Sequence, residues 1–387
     1  MRKRRNILVV VRHPVGGIRT YLKYTYKYLD PLKYQFTIVT VRNTEGSHIE
    51  HDLKILAPHI IEIDESSNWY RFIRAIYDLL AANEYDLIHS HGYTAGIMAA
   101  VVNHYFNLPH IVTSHGLFEK GQFTVTKYGK IKKLLVGYLL SKVDVIQSVS
   151  NDAEENVKEY FPKISKKKLK VIHNGVDIAT FCGKNNEYMR KALKIELNID
   201  RQYYICGYLG RFMPEKGFEK LIDAVEILSE DQLIIDKIKI LVVNDGAYIR
   251  EYKALIERRK LSKYFMFHGF IPDIRRILEG IDALVIPSLW EAYGLIAAEA
   301  LLVNCPIIAS ECIGLREVIS NTPAIKFKTA DAQSLANAMR FYIDNIAEIR
   351  AKTESYLPTA RERYDSRKTA AKLDALFDET IEKRGWR

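Results

Sequence analysis

The sequence alternates between short apolar, β-branched runs and longer amphipathic segments, in both halves of the chain. Each short run is predicted to be a strand and each longer segment a helix. Residues 7–11 (ILVVV) are apolar at every position, as expected of a strand covered on both faces of its sheet. Strands that alternate with helices build βαβ units, so the pattern predicts an α/β fold with parallel sheets. The predicted strands are residues 6–11, 36–41, 87–89, 110–114, 145–149, 203–209, 238–243, 265–268, 283–287, 306–309 and 324–327.

The predicted helices fill the intervals between these strands. A break in the alternation falls near residues 176–200, where a basic run (163–170) and a polar stretch (183–186) fit no buried element. We therefore predict an N-terminal domain over residues 1–178, a C-terminal domain over 179–365 and a final amphipathic helix over 366–387. The predicted helices are residues 17–29, 69–82, 94–106, 218–228, 248–260, 294–302 and 331–344.

Composition limits the partners and the location. The net charge of +10 attracts anions such as nucleotide phosphates, acidic lipids or nucleic acid. The four cysteines (Cys182, Cys206, Cys305, Cys312) lack Cys-x-x-Cys spacing, which argues against a disulfide framework or a zinc site. No run approaches the roughly 18 apolar residues of a membrane span. The basic start leads into only five apolar residues without a cleavage site, so we expect a cytoplasmic protein.

A loop rich in glycine and positive charge follows the predicted strand 203–209. It reads GRFMPEKG over residues 210–217 and leads into a predicted helix. Arg211 and Lys216 therefore lie beside the N–H groups of a helix start, where fixed cations and the helix dipole suit a diphosphate. A turn with two solvated cations is the alternative for this motif by itself.

The segment PSLWEAYGLIAAE, residues 287–299, follows another predicted buried strand. Gly294 and Leu295 open the next helix and offer free N–H groups to an anion. Glu299 lies four residues beyond Leu295, on the same helical face, and its carboxylate suits two adjacent ribose hydroxyls. Glu291, in the loop before the helix, suits a sugar attached to the phosphate.

Together these motifs resemble the retaining family 4 glycosyltransferases of the GT-B fold, of the bacterial polysaccharide and lipopolysaccharide type. The resemblance rests on GYLGRFMPEKGF at residues 207–218 and on the spacing of Glu291 and Glu299. It extends to VIHNGVD at 171–177, to Gly16-Gly17, and to SHG at 90–92 and TSHG at 113–116. It implies two doubly wound, Rossmann-like parallel-sheet domains facing across a cleft, with the C-terminal helix crossing back to the N-terminal domain.

The resemblance also implies roles in the donor domain. Arg211 and Lys216 would bind the pyrophosphate and stabilise the departing nucleotide diphosphate. Glu299 would hold the ribose, and Glu291 would contact the transferred hexose.

Further roles fall on both domains. The amides at Gly294-Leu295 would help to hold sugar or phosphate, and His115 would face the sugar from the first domain. Gly16-Gly17 would let the backbone approach phosphate and acceptor. Phe270 and Ile271 would carry the base against the backbone.

Three positions depart from the family pattern. Asn244-Asp-Gly246 stands where Gly-x-Gly is usual, Cys305 replaces a glycine, and Ile313-Gly314 replaces a glycine pair. The first and third fall where the sugar pocket is expected.

The implied reaction requires no metal ion and no cofactor besides the nucleotide diphosphate sugar, which is the donor substrate. Two cations and helix N-termini neutralise the charge that grows on a departing nucleotide diphosphate. The chain contains no Asp-x-Asp tripeptide, the metal–phosphate clamp of the other major transferase fold. The resemblance implies retention at the anomeric carbon. We expect front-side attack, with a departing phosphate oxygen taking the acceptor's proton.

Four histidines, His89, His91, His110 and His115, fall near predicted strand ends. They fit either a metal cluster or polar residues that close strands, and no ligand triad stands out. We assign His115 to the sugar and leave His91 as a residue of unknown use.

A basic amphipathic segment at residues 127–142 predicts how the protein meets its acceptor. Its lysines lie toward one side, and its large apolar residues lie toward another. It fits either a helix on an anionic membrane or one that packs its apolar face on the sheet. We expect peripheral attachment to the inner face of the plasma membrane and a glycan or lipid-linked acceptor. The apolar residues are Ile131, Leu134, Leu135, Tyr138 and Leu139.

Three other functions fit parts of the pattern. A nucleotide-sugar epimerase would share the fold. A nicotinamide-dependent dehydrogenase would need Gly-x-Gly-x-x-Gly after the first strand, which RHPVGG at residues 12–17 does not supply. A nucleic-acid-binding protein would use the positive charge, but no helix-turn-helix, zinc-finger or RNA-binding signature accompanies it. We therefore expect no nucleic-acid partner.

Overall fold

The computed structural model describes residues 4–42, 49–64, 68–119, 121–124, 127–181, 186–244, 248–269, 271 and 273–385. The chain divides into two compact units. Unit 1 combines Met1–Asp177 with Asp365–Arg387, and unit 2 is Ile178–Tyr364. The boundaries between these units lie within one residue of the predicted domain ends, residues 178 and 365. The helix at the end of the chain belongs to unit 1. The cleft between the domains stays a prediction.

Unit 1 contains a parallel sheet with strand order β3-β2-β1-β4-β5-β6-β7. Its interior strands are buried at almost every position, which explains why apolar runs such as residues 7–11 predicted them. The chain adds strands on one side of β1 and then returns to its other side with β4, so the order reverses between β1 and β4. The strands are β1 (Arg5–Val11), β2 (Tyr34–Val41), β3 (His59–Ile63), β4 (Leu87–His91), β5 (His110–Ser114), β6 (Val145–Ser148) and β7 (Leu169–Val171).

Helices cover both faces of this sheet. Leu8 and Val10 of β1 pack with the helices on one face, whereas Ile7, Val9 and Val11 pack on the other face with the C-terminal helix. The helix predicted over 17–29 is instead a short α-helix followed by a π-helix, Leu22–Tyr26. The α-helices of unit 1 are α1 (Gly17–Tyr21), α2 (Ile49–Asp52), α3 (Trp69–Ala82), α4 (Tyr93–Phe106), α5 (Gly129–Lys142), α6 (Asn151–Tyr160) and, at the end of the chain, α16 (Ser366–Gly385).

Unit 2 contains a second parallel sheet, with order β10-β9-β8-β11-β12-β13. Its order reverses between β8 and β11, in the same way as in unit 1. The strands are β8 (Tyr204–Leu209), β9 (Ile238–Val243), β10 (Phe265–His268), β11 (Ala283–Ile286), β12 (Ile307–Ser310) and β13 (Ile325–Phe327).

The helices of unit 2 alternate with its strands. Their packed faces form a core with the sheet that includes Phe212, Phe218 and Tyr342. No element was predicted between residues 176 and 200, and this was wrong, because α7 lies there. The helices are α7 (Asn186–Glu196), α8 (Phe218–Leu228), α9 (Gln232–Ile235), α10 (Ile249–Arg258), α11 (Ile274–Gly280), α12 (Leu295–Leu302), α13 (Leu315–Val318), α14 (Ala332–Asp344) and α15 (Ile346–Arg363). Both units are thus parallel, doubly wound α/β domains, as predicted.

Candidate functional site

In unit 2, the two charged motifs meet where the strand order reverses. The loop after β8 carries Arg211 and Lys216, and the loop after β11 carries Glu291 and Gly294. Because β8 and β11 are neighbours, their carboxyl ends open at one place on the sheet edge. Open α/β sheets bind their ligands at such a reversal. The topology therefore brings together two motifs that are far apart in the sequence.

Glycine holds the first loop against the second. Gly217 has φ 65°, and a Cβ there would lie 1.9 Å from the Pro287 carbonyl oxygen. The Leu289 N–H also donates to the Glu215 carbonyl at 2.8 Å. A side chain at position 217 would force the two loops apart. This position therefore requires glycine for two reasons, the close approach of the loop after β11 and the positive φ.

Lys216 and Glu291 form an ion pair in this space. Lys216 Nζ lies 2.7 Å from Oε1 and 2.9 Å from Oε2 of Glu291. The Ser288 hydroxyl donates to the same carboxylate at 2.8 Å, and the Glu291 N–H donates to the Ile313 carbonyl at 3.0 Å. Gly314 has φ 79°, and a Cβ there would lie 2.0 Å from the Glu291 carbonyl oxygen. Thus the loop after β12 fixes the backbone of Glu291.

Two helix starts face the same loops. Gly217 precedes α8, Gly294 precedes α12 with φ 89°, and neither helix start is capped by a described side chain. Uncapped N-terminal amides carry partial positive charge and bind anions. Arg211 is exposed. The arrangement supplies an anion with one exposed cation, one paired cation and two helix dipoles.

The remaining predicted donor residues lie at different depths. Glu299 lies in α12 and is 2 % exposed, so it is a buried carboxylate on the helix that Leu295 opens. Ile271 is half-buried and follows β10, one of the two edge strands of the sheet. Phe270 lies outside the described residues, as do residues 245 and 246 of the altered glycine motif. Asn244 takes φ 132°, a backbone conformation that favours glycine.

Unit 1 repeats this layout where its own strand order reverses. Gly16 follows β1 with φ 54° and precedes α1, and Gly17 is the first residue of that helix. Gly92 follows β4 with φ 82°. Gly16 is needed for its positive φ, whereas a Cβ at Gly17 would meet nothing within 4 Å. The space at Gly17 is therefore open to a ligand.

His115 follows β5 and belongs to a buried histidine cluster. Its Nε2 lies 2.9 Å from Nδ1 of His91, and Tyr26 joins His91 to His89. Burial lowers the pKa of His115 to about 3 and lowers the pKa of both His89 and His91. His110 bonds to Ser90 instead. No sequence pattern pointed to Tyr26, because its link to the histidines depends on packing between separate elements.

The histidines do not form a metal site. Within the residues that the structure describes, no group of three His, Cys, Asp or Glu side chains is placed to hold a metal ion. The need for a metal in the reaction stays a separate prediction.

Helix α5 exposes four of the five apolar residues that were predicted to lie on one side, whereas the fifth, Leu139, is half-buried and packs against the core. Ile131, Leu134, Leu135 and Tyr138 are all more than half exposed, whereas Val136 and Leu140 face the core. The alternative prediction, in which the apolar face of this helix packs on the sheet, is therefore wrong for the four exposed residues. Among the described helices, none has the length and apolar character to cross a bilayer.

Two family models match the chain. Residues 15–180 match "Glycosyltransferase Family 4", and residues 189–358 match "Glycosyl transferases group 1".

Curated relatives carry related activities in their names. The Escherichia coli UDP-Gal:alpha-D-GlcNAc-diphosphoundecaprenol alpha-1,3-galactosyltransferase is 29 % identical over 286 residues, covering 72 % of each chain. The GPI3 subunit of Saccharomyces cerevisiae phosphatidylinositol N-acetylglucosaminyltransferase is 23 % identical over 364 residues, covering 91 % of this chain and 77 % of the relative.

A solved structure shares the fold over nearly the whole chain. Anabaena Alr3699/HepE in complex with UDP-glucose superposes with a TM-score of 0.83 at 18 % identity, covering 97 % of this chain and 99 % of that one. WaaG, a glycosyltransferase involved in lipopolysaccharide biosynthesis, superposes with a TM-score of 0.71 at 14 % identity, over 95 % and 98 % of the two chains. The two family models together account for most of the sequence. The chain therefore belongs to the glycosyltransferases that join a family 4 domain to a group 1 domain, and it has the GT-B fold.

Proposed function

We propose that the protein transfers a hexosyl sugar from a nucleotide diphosphate sugar to a glycan or lipid-linked glycan, with retention at the anomeric carbon and without a metal ion. The observation that carries this proposal is the Lys216–Glu291 pair beside two uncapped helix starts where the strand order of unit 2 reverses. A diphosphate fits there because its charge is met by fixed cations and helix dipoles.

The chemistry follows from where negative charge develops. The bond between the anomeric carbon and the phosphate oxygen breaks, and a bond to the acceptor oxygen forms on the same face of the sugar. The released phosphate oxygen takes the acceptor's proton. Arg211 and Lys216 stabilise the departing diphosphate, and Glu291 orients the positively charged sugar at the transition state.

The donor is proposed to be a UDP-hexose. The Anabaena neighbour was solved with UDP-glucose, and the name of the Escherichia coli relative specifies UDP-Gal. In this chain, Glu299 would hold the ribose and Ile271 would lie by the base. His115 would bind a hydroxyl of a substrate sugar.

The acceptor is proposed to be lipid-linked and reached at the inner face of the plasma membrane. The names of both curated relatives specify a lipid acceptor, undecaprenol diphosphate in one and phosphatidylinositol in the other. The four exposed apolar residues of α5, named above, would enter the membrane interface. Lys127, Lys130 and Lys132 beside them are exposed as well and would bind anionic lipid.

The neighbouring helices support this membrane face. Helix α4 packs between α3 and α5. Aromatic side chains are exposed on α3 (Trp69 and Tyr70) and on α4 (Tyr105). Trp and Tyr favour the membrane–water interface because their rings are apolar at one end and polar at the other.

A panel of nucleotide sugars in a thermal-shift assay tests the donor site. A ligand that binds only the folded protein raises its Tm, so one UDP-hexose is expected to raise Tm most. Lys216→Ala and Arg211→Ala should remove that shift. Arg340→Ala is the matched control, because Arg340 forms a surface ion pair with Asp231 in the same unit and should keep the shift.

Turnover with and without acceptor then tests the reaction. NMR should show that the transferred sugar keeps the donor's anomeric configuration. Transfer should also continue when EDTA removes metal ions. Inversion would contradict retention. Conversion of the nucleotide sugar without any acceptor would point to an epimerase instead.

A further inference from the structure

A chain of buried hydrogen bonds leads from the backbone of unit 1 to the ring of His115. It runs from Gln147 to Thr113, His89, Tyr26, His91 and finally His115. All of these side chains are fully or almost fully buried except that of His115, which is half-buried. Each link is 2.6–3.0 Å long.

The inner end of this chain has a fixed direction. Gln147 Nε2 donates to the carbonyls of Ser148 and Ile172 at 3.2 and 3.1 Å. Carbonyl oxygens only accept, so the amide orientation is set and Gln147 Oε1 must face Thr113. The Thr113 hydroxyl therefore donates its single proton to Oε1, at 2.6 Å. As a result, Thr113 Oγ1 can only accept from His89 Nε2.

The two inner histidines have fixed proton positions for the same reason. Burial lowers the pKa of His89 and His91, so each ring is neutral and carries one N–H. With its proton on Nε2, His89 has a bare Nδ1, to which the Tyr26 hydroxyl donates at 2.6 Å. Tyr26 then accepts from His91 Nε2 at 3.0 Å, which leaves Nδ1 of His91 bare.

We propose that this relay fixes His115 in the tautomer with its proton on Nε2, so that Nδ1 acts as a hydrogen-bond acceptor for a hydroxyl of the substrate. His91 Nδ1 can only accept, so His115 Nε2 donates to it at 2.9 Å. Among the residues that the structure describes, no group bonds to His115 Nδ1. A bare ring nitrogen takes a hydroxyl proton and repels a carboxylate or phosphate oxygen, which itself only accepts. Thr113, His89, Tyr26 and His91 are thus positioning residues for His115.

The inference rests on the proposed function only for the ligand, a sugar hydroxyl. The tautomer is a property of the free protein. The two parts can therefore fail separately, and the experiment measures each.

The tautomer is read by NMR of the protein with ¹⁵N-labelled histidine rings. In the unmodified protein, His115 should carry its proton on Nε2 alone. Thr113→Val keeps the shape of the side chain but removes the hydroxyl, so the chain loses its fixed direction and His115 should populate both tautomers. Thr113→Ser retains the hydroxyl and should restore the single tautomer. Tyr26→Phe interrupts the relay in its middle and should act like Thr113→Val.

Tyr93→Phe is the matched control for Tyr26→Phe. The Tyr93 hydroxyl bonds to the Ser114 hydroxyl beside the relay but takes no part in it, so His115 should keep its single tautomer. A proton on Nδ1 of His115 in the unmodified protein would overturn the proposal. So would a His115 tautomer that Tyr26→Phe and Thr113→Val leave unchanged.

Kinetics test the role of Nδ1. Thr113→Val should lower kcat/KM on the order of tenfold, about the effect of one hydrogen bond to a neutral group, and Thr113→Ser should recover most of it. Unchanged kinetics despite a changed tautomer would overturn the assignment of Nδ1 to the substrate. If no nucleotide sugar is turned over at all, the proposed function fails, whereas the tautomer measurement still stands.

Discussion

Lys216 Nζ bonds both carboxylate oxygens of Glu291, at 2.7 and 2.9 Å. These are the cation proposed for the diphosphate and the carboxylate proposed for the sugar. In the free protein, Glu291 is thus paired with the lysine that is proposed to bind the phosphates. The diphosphate must either share this lysine or displace the carboxylate from it.

Glu291→Gln should separate binding from turnover. The amide keeps the size of the side chain but removes a negative charge beside the anion site, so nucleoside diphosphate should bind about tenfold tighter. Transfer should fall by roughly two orders of magnitude or more, because the charge that stabilises the sugar is lost. Calorimetry with UDP and initial rates measure the two effects. Weaker UDP binding together with unchanged turnover would contradict the assignment of Glu291.

Gly314→Ala should disturb the Glu291 loop. A Cβ at φ 79° would lie 2.0 Å from the Glu291 carbonyl oxygen, so the loop must move at a cost of about 1–3 kcal/mol in the free energy of unfolding. Urea unfolding measures that cost, and transfer rates should fall with it. Gly269→Ala is the control for stability, because a Cβ there meets nothing within 4 Å. Equal stability of the two variants would contradict the steric argument.

Replacing Leu134 and Leu135 by glutamate should weaken membrane binding by at least about tenfold, since apolar burial is lost and repulsion from anionic lipid is gained. These leucines are 70 % and 56 % exposed, so the fold should tolerate the change. Sedimentation with vesicles containing phosphatidylglycerol measures binding. Leu233→Glu is the matched control, because Leu233 is 79 % exposed on unit 2. Equal binding by both variants would remove α5 from the membrane proposal.

Asp282→Asn should destabilise unit 2 by about 3 kcal/mol, because it removes a buried carboxylate and leaves partly buried positive charge without a partner. Asp282 is 1 % exposed, accepts from the Ile205 N–H at 2.8 Å and pairs with Arg350. Arg190 and Lys194 also lie 3.7 Å from its carboxylate. Thermal or urea unfolding measures the loss.

The matched control for Asp282→Asn is Asp231→Asn, which breaks a surface pair with Arg340. It should cost well under about 1 kcal/mol. A similarly small loss in the free energy of unfolding for Asp282→Asn would contradict the prediction, because it would show that the ion pairs of Asp282 contribute little to stability.

Unit 1 should lose stability as the pH falls below about 6.5. Burial lowers the pKa of His110 from 6.5 to about 4. Between these values the unfolded chain binds a proton that the folded chain does not, so stability is complete above pH 6.5 and declines toward pH 4. His110 alone accounts for about 3 kcal/mol, and the buried relay histidines add to it in the same direction.

Urea unfolding as a function of pH measures this loss. His110→Gln should make the curve less steep between pH 6.5 and 4, because the relay histidines still contribute, although the variant is less stable overall. His59→Gln, at an exposed position, should leave the curve unchanged. A pH-independent free energy of unfolding in that range would contradict the neutral, buried state of these rings.

Most interior elements could be predicted from the sequence. Strands β5 and β9 and helices α3 and α8 match the predicted ranges at both ends, because their periodicity is encoded by adjacent residues. The same is true of β10, although it lies at the edge of its sheet. The missed strands of unit 1, β3 and β7, are the two outermost in the sheet. Glu62 interrupts the apolar run of β3 and Lys170 interrupts that of β7, which an edge position allows because an outer strand is covered less completely.

The sequence by itself determined the two α/β units and the loops that hold the charged motifs, because strand and helix patterns and glycine positions are local properties of the chain. Only the tertiary structure decided which side chains meet. Lys216 and Glu291 are 75 residues apart, and the strand order of unit 2 brings them together. Likewise, the outward direction of Leu134 and the link from Tyr26 to His91 depend on packing between elements that are distant in sequence, which no local pattern records.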